Sequence, residues 1–439
     1  MKITVVGTGF VGLSTALALA EHGHRVTCVD RKPAKVAQLN AGRPHIFEPG
    51  MAEALKRALA KKRLSFTTDL PSAVGPAKVV FITVGTPSAP DGSADLSQVH
   101  TAARQIARAV KYRTVVTLKS TVPVGTTEAV AQIIHRATRK PIDTAFNPEF
   151  LREGAALADA RHPNRVVVGT SSDYAKKVLG DLFARTVPSG RLLMMSTRSA
   201  ELTKYAANGF LATKISYMNE LARYAEIIGA DIVQVRRGIG LDPRIGESFL
   251  GAGIGYGGSC FPKDVSALLY ASDKDGVPLS ILSAVQKVNA GQTQVAIDYL
   301  LKHLHKTNRP NSLRGVKVAV WGLAFKPRTD DLRQAPSRSL IATLYRLGAK
   351  ILAFDPKAMQ NAAATYPWPI EYTKDSYQAV RGVSAIILAT EWSVFLRADW
   401  RRVKRLAKKN ALVIDGRNSL PAQKIRAAGL AYQGFGRVL

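Results

Sequence analysis

Cysteine is nearly missing from this chain: Cys28 and Cys260 are the only two among 439 residues. Two thiols cannot build the cross-linked framework of a small secreted domain, so the fold must rest on a hydrophobic core, and the setting is read as reducing. No apolar run approaches the length that spans a bilayer, and Met1-Lys-Ile-Thr-Val-Val enters a strand pattern directly, without a signal-type apolar stretch. The expectation is a cytoplasmic protein with no membrane insertion. Short-period repeats and extended low-complexity segments are also missing, which excludes solenoid arrays. No metal site is expected.

Acidic residues are scarce as well. Against 62 Lys and Arg stand 32 Asp and Glu, a formal charge of +30. Such a surface attracts nucleic acid, anionic lipid or phosphorylated metabolites. The basic clusters Lys61-Lys-Arg63, Arg401-Arg-Val-Lys-Arg405 and Lys408-Lys409 are scattered along the chain, and none interleaves with aromatics as a base-stacking surface does. They read as solvated faces, and nucleic acid is not the expected partner.

What is present is a chain that is 46% hydrophobic and long enough for two or three domains. Apolar strand patterns at Ile3–Val6, Val26–Val29, Val79–Val84, Thr114–Leu118, Thr144–Phe146 and Arg165–Val168 alternate with amphipathic helical stretches. That alternation predicts a parallel sheet covered on both faces. A long helical pattern runs from Ser199 to Gly229, and more helices continue to about His305. A polar connector, Lys306–Ser312, precedes further strands at Lys317–Trp321, Lys350–Phe354, Ala385–Ala389 and Ala411–Ile414. The expected division is 1–198, 199–305 and 306–439.

Gly7-Thr-Gly9-Phe10-Val11-Gly12 follows the first strand and opens the helical stretch Leu13–Ala20. In such a loop the first glycine makes the tight turn, the second admits a pyrophosphate, and the third lets helix and strand pack. Asp30 ends the next strand, where a carboxylate accepts from ribose hydroxyls and disfavours a 2′-phosphate. The predicted cofactor is NAD, although Arg31 and Lys32 could neutralise such a phosphate.

Thr121, Glu149 and Glu153 fall where later strands end, the edge at which doubly wound sheets bind ligands. Lys204 and Asn208, four apart, share one helix face. Cys260 closes the glycine-dense stretch Gly251–Ser259, where glycine lets backbone approach a ligand, and Lys263 nearby could favour a thiolate. Each alone has a plainer reading: a cap, a solvated lysine, a buried thiol like Cys28.

In order, Gly7–Gly12, Val29 to Gly50, Lys119–Gly125, Asn147–Gly154, Glu201–Glu220, Gly238–Asp264 and Gly322–Arg333 resemble the UDP-glucose/GDP-mannose dehydrogenase family over nearly the whole chain. The runs Lys204–Glu220 and Phe249–Gly258 are more similar to its UDP-glucose branch. The resemblance implies two Rossmann-like doubly wound α/β domains joined by a central helical domain with a long helix. The first domain binds NAD, the last binds a UDP-sugar, and the central helices pair in a homodimer.

The activity so implied is a four-electron oxidation of the C6 alcohol of UDP-glucose to the carboxylate of UDP-glucuronate. A water held by Lys204 and Asp264 takes the hydroxyl proton, and Cys260 traps the aldehyde as a thiohemiacetal and then a thioester. A water oriented by Glu149 or Glu153 with Thr121 hydrolyses the thioester, while Lys204 and Asn208 stabilise oxyanions. The same resemblance places Lys35, Thr83, Thr121, Glu153, Lys263 and Arg328 at the cofactor. It places Glu149, Phe150, Leu151, Arg244, Phe249, Gly257, Lys326 and Arg417 at the sugar nucleotide, with Lys204, Asn208 and Cys260. Ala335 departs from the serine frequent in the family, which puts a contact there in doubt. The alternatives are a sibling enzyme acting on GDP-mannose or a UDP-N-acetylhexosamine, a nucleic-acid-binding protein, and a cysteine hydrolase or acyltransferase without NAD.

Overall fold

The computed structural model describes residues 1–304 and 312–438. The connector expected at Lys306–Ser312, and the boundary at 305/306, fall almost wholly outside the described residues. By packing, the chain divides into two compact units: Met1–Ala207 with Ser266–Gly276, and Asn208–Val265 with Val277–Leu439.

The first unit is built on eight strands: β1 (Lys2–Val6), β2 (Arg25–Val29), β3 (Leu64–Thr67), β4 (Val79–Ile82), β5 (Thr114–Leu118), β6 (Ile142–Phe146), β7 (Val166–Gly169) and β8 (Leu192–Met195). Their spatial order is β3-β2-β1-β4-β5-β6-β7-β8. The pairing is parallel, as expected, apart from one antiparallel step where β6 and β7 meet through Phe146 and Gly169. Because side chains alternate across a strand, Val79 and Phe81 enter one core while Val80 and Ile82 enter the core on the opposite face. Each such buried side chain contributes about 1.5–3 kcal/mol.

The second unit repeats the plan with β9 (Lys317–Trp321), β10 (Lys350–Phe354), β11 (Ile370–Tyr372), β12 (Ala385–Leu388), β13 (Leu412–Asp415) and β14 (Ala431–Gly434). The order β11-β10-β9-β12-β13-β14 is that of the first six strands of the other unit. Val318 and Val320 face one core, Ala319 and Trp321 the other. The strands absent from the sequence reading, β3, β8, β11 and β14, are the four sheet edges. Edge strands are short and half-covered, so they lack the continuous apolar runs that mark central parallel strands.

The long helix, Thr197–Ile228, contains 32 residues, and Gly229 ends it in the left-handed region at φ +74°. Gly209 within it lies against Leu282 of helix Ser280–Leu304; a Cβ there would sit 3.2 Å from Leu282 Cδ2. Near its start, Glu201 is fully buried. Its carboxylate accepts from the Gly125 N–H (2.6 Å), the Thr127 N–H (2.8 Å) and Thr127 Oγ1 (2.6 Å). Helix Thr126–Ala137 begins at Gly125, which has no side chain to cap it, so Glu201 supplies that cap from the long helix.

Removing a buried carboxylate that satisfies three donors should be expensive. Glu201→Ala is expected to lower unfolding free energy by about 3 kcal/mol or more. Denaturant titration measures it, and a loss below about 1 kcal/mol would show that the two helices hold together without this cap.

Candidate active site

In the first unit the glycine loop is shaped for a diphosphate. Gly7 turns at φ +101°, and a Cβ on Gly12 would lie 2.1 Å from the Gly7 carbonyl oxygen and 2.6 Å from Thr83 Oγ1. Thr83 donates to the carbonyls of Val6 and Gly7, both at 2.9 Å, fixing the turn. Gly9 faces open space and begins helix Phe10–Glu21 with no side-chain cap, so Phe10, Val11 and Gly12 form an amide-lined first turn. Asp30 follows β2 and accepts from Thr8 Oγ1 (2.5 Å), Lys35 Nζ (2.7 Å) and the Lys32 N–H (3.2 Å). Burial alone would raise its carboxyl, but Lys35, Thr8 and the Lys32 amide outweigh that and bring it down to about 2. These residues fit a dinucleotide: an open glycine turn for phosphates and a permanently ionised acceptor for a ribose. His45 was not legible in the sequence; burial first and Lys35 second push it down to about 4, so this neighbour of Asp30 is neutral at physiological pH.

At the carboxyl edge of the same sheet lies a buried charge cluster. Lys204 Nζ is 2.9 Å from Glu149 Oε1, with the side chains 3% and 6% exposed. Glu149 Oε2 accepts from the Leu151 N–H at 2.6 Å, and the Phe150 ring lies 5.4 Å from the Lys204 ammonium. Burial raises Glu149's carboxyl, but Lys204, the Leu151 amide and Lys119 together carry it below the ordinary range. Lys119 was quoted in the sequence without a role, and it is a second buried ammonium, donating to Asn147 Oδ1 at 2.8 Å. Burial pushes Lys119 down to about 8, Glu149 opposing and Lys204 adding to the fall. Thr121, just beyond β5, is half-buried, and its carbonyl accepts from Thr86 Oγ1 at 2.9 Å. Glu153 is half-buried in a loop that Glu48 secures by accepting from the Gly154 and Ala156 N–H groups at 2.8 and 2.7 Å.

In the second unit Cys260, part-exposed, immediately precedes helix Phe261–Lys274, at the end that favours developing negative charge. Asp264, 1% exposed, accepts from Asn208 Nδ2 and Lys263 Nζ, each at 2.6 Å. Lys263 is therefore ion-paired with Asp264. Three of the glycines before Cys260 lie close against the protein's own chain. A Cβ on Gly253 would lie 2.2 Å from the Gly416 carbonyl, on Gly257 2.1 Å from the Gln334 carbonyl, and on Gly258 2.7 Å from the Phe325 ring. They let the loop pack against the strand-end loops of the second sheet.

Arg417 stitches those loops together, donating to the carbonyls of Ala389 (2.8 Å), Gly255 (2.8 Å) and Phe325 (3.1 Å). Lys326 is half-buried, its ammonium 5.3 Å from the Phe325 ring. Phe249 and Arg328 both adopt positive φ, at 65° and 67°, and the Phe249 ring packs 6.0 Å from Phe261. Arg244 is not drawn into this arrangement: it is 87% exposed and folded onto Asp242 at 2.6 Å.

Residues 1–187 match the NAD binding domain of the UDP-glucose/GDP-mannose dehydrogenase family, 198–291 its central domain and 319–422 its UDP binding domain. The chain belongs to this family. It is 44% identical to the UDP-glucose 6-dehydrogenase of Pseudomonas aeruginosa, over all of this chain and 98% of that protein. A UDP-glucose 6-dehydrogenase of Bacillus subtilis is 42% identical, with 100% and 98% covered. Among solved structures, a UDP-glucose dehydrogenase from Pyrobaculum islandicum superposes with a TM-score of 0.92 at 40% identity, covering 99% of this chain and 98% of that one. A UDP-D-ManNAc dehydrogenase from Pyrococcus horikoshii gives 0.87 at 27% identity, covering 100% and 99%. The amide-lined turn and Asp30 thus belong to the family's NAD binding domain, and Lys326 and Arg417 to its UDP binding domain.

Asp30 titrates lower in the folded chain than its ordinary 3.8. Its contribution to stability is therefore present above about 3.8 and lost as pH falls through about 2. Asp30→Asn should flatten the acid limb of a stability curve in that window and weaken NAD⁺ binding about tenfold or more. Calorimetry checks both, and unchanged NAD⁺ affinity would remove Asp30 from the ribose site.

Proposed function

We propose that this protein is an NAD-dependent UDP-glucose 6-dehydrogenase. The observation that carries the reading is the buried ammonium of Lys204, paired with Glu149 at the carboxyl edge of the first sheet; in the second unit Asn208 is paired with Asp264. The full-length identity to proteins of that name supports the substrate. NAD⁺, when bound, supplies the acceptor for one hydride in each of two oxidations.

In the first oxidation C6 of the sugar loses a hydride while its hydroxyl proton passes to water held by Lys204 and Asp264. Cys260 sulfur then adds to the aldehyde carbon, and the thiol's proton passes by way of water to the aldehyde oxygen, giving the thiohemiacetal hydroxyl. Loss of that hydroxyl's proton and a second hydride gives the thioester. Water oriented by Glu149 or Glu153 with Thr121 adds to the thioester carbonyl, Lys204 and Asn208 donate to the oxyanion, and the C–S bond breaks. Per sugar, one water and two NAD⁺ are consumed and a carboxylate, two NADH and three protons are released. Lys35, Thr83, Lys263 and Arg328 are assigned to the cofactor. Phe150, Leu151, Arg244, Phe249, Gly257 and Lys326 are assigned to the sugar nucleotide. Arg417 has five N–H donors; beside its three carbonyl bonds and the Glu391 carboxylate 3.4 Å from Nε, the second N–H of each terminal nitrogen is assigned to the diphosphate.

The same reading takes 1–198 as the NAD part, 199–305 as a dimerisation part and 306–439 as the UDP-sugar part, in a cytoplasmic homodimer. Phe210, Tyr217 and Tyr224 recur every seven residues along the long helix and are 67%, 54% and 59% exposed. Such a stripe suits helix pairing between two copies.

Purified protein should reduce two NAD⁺ for each UDP-glucose, read as absorbance at 340 nm, and do so faster than with GDP-mannose or UDP-N-acetylhexosamines. Faster turnover of one of those would move the assignment to a sibling activity. Cys260→Ser should bind UDP-glucose but lose turnover by about a thousandfold or more, because serine is a far weaker nucleophile at neutral pH. Near-normal UDP-glucuronate formation by that variant would falsify the thioester route.

A further inference from the structure

The excess of positive charge has no part in the oxidation, yet the sheet of the first unit does not leave it scattered. Cations stand at the amino ends of four consecutive strands, β3-β2-β1-β4: Arg63, Arg25, Lys2 and Lys78. The register is direct. Lys2 and Arg25 are Cα partners, the Val26 N–H donates to the Arg63 carbonyl at 2.8 Å, and the Lys78 N–H donates to the Lys2 carbonyl at 2.9 Å. Strands lie about 4.8 Å apart, so four like charges follow one another along the edge of the sheet. Like charges on directly paired residues oppose folding. All four are exposed, and among the described residues none is ion-paired with a carboxylate. Just before β5 the next cation, Arg113, is neutralised by Asp143 at 3.0 Å, which ends the row.

Helices Phe10–Glu21 and Leu70–Val74, which lead into β2 and β4, have no basic residue in their last turns, whereas helix Met51–Ala60, which leads into β3, carries Arg57 there. The field is felt locally: burial first, then the Met1 ammonium, His22 and Arg63 push His24 below its ordinary value. This edge is opposite the carboxyl edge that holds Asp30, Lys204 and Glu149. Tyr174 lies against Lys78 at one end of the row, its ring centroid 4.7 Å from the ammonium, and the line of charge, following the sheet twist, suits a linear anion better than the plane of a membrane.

We propose that the amino edge of the first sheet is a docking surface for a linear phosphodiester polyanion, bound through its phosphates without base recognition. The probe is a 20-base-pair DNA duplex and its single strand, titrated by fluorescence anisotropy from low to physiological salt. The Arg25→Gln, Arg63→Gln double variant is expected to bind about tenfold more weakly at 0.1 M salt, with the log–log salt slope smaller by about 2. UDP-glucose oxidation should be unchanged. A control, Arg104→Gln with Lys177→Gln, removes two exposed cations from helices of the same unit. Equal losses in the two double variants would reduce the effect to net charge and overturn the proposal. So would absence of duplex binding by the unaltered protein, or preference for anionic phospholipid vesicles over either nucleic acid.

Discussion

A lysine ammonium that is 3% exposed can persist only if its charge is met, and the pairing of Lys204 with Glu149 is the constraint around which the first unit's site is arranged. Meeting it draws in further groups. Glu149 is held by the Leu151 amide, and Lys119 beside it leans on Asn147, whose Nδ2 donates to the Val167 carbonyl at 2.8 Å. The ends of β5, β6 and β7 are thereby tied to one face of the long helix. That face carries Glu201, Lys204 and Asn208 at spacings of three and four, each buried and each with a different partner. A shift in helix register would strand all three polar groups at once.

The two sheets share a strand order but use it differently. Each first strand ends in a glycine at positive φ, Gly7 and Gly322, and each second strand is followed by an aspartate, Asp30 and Asp355. Asp30 keeps a partly open carboxylate. Asp355 is fully buried, with one oxygen accepting from the Leu323 and Ala324 amides and Trp392 Nε1, and the other from the Lys357 and Ala358 amides. In the second unit the carboxylate that would greet a ribose instead locks the loop. One topology thus supports a dinucleotide turn in one half and a closed turn in the other, and polar satisfaction separates them.

Several residues legible in the chain gain, in the fold, partners that the sequence does not name. The glycines before Cys260 were legible as places of close approach, yet what approaches Gly253, Gly257 and Gly258 is the protein's own chain. Lys263 was legible as a cation near the thiol, and the fold adds its pairing with the adjacent carboxylate of Asp264. Glu48, Lys119 and Glu201 went unassigned because a buried charged residue looks in sequence like any solvated one. Only the position of Lys119 at the end of an apolar strand hinted at burial.

The sequence by itself determined the central strands, the long helix and the dinucleotide turn, because those depend on local periodicity, glycine conformations and spacing within one element. Tertiary structure decided the edge strands, the antiparallel step between β6 and β7, and the partners of every buried charge. It also decided where the basic excess lies. Arg63, Arg25, Lys2 and Lys78 are remote in the chain and become neighbours only through strand order. Electrostatics acts through space, and distances in space are set by topology rather than by separation along the chain.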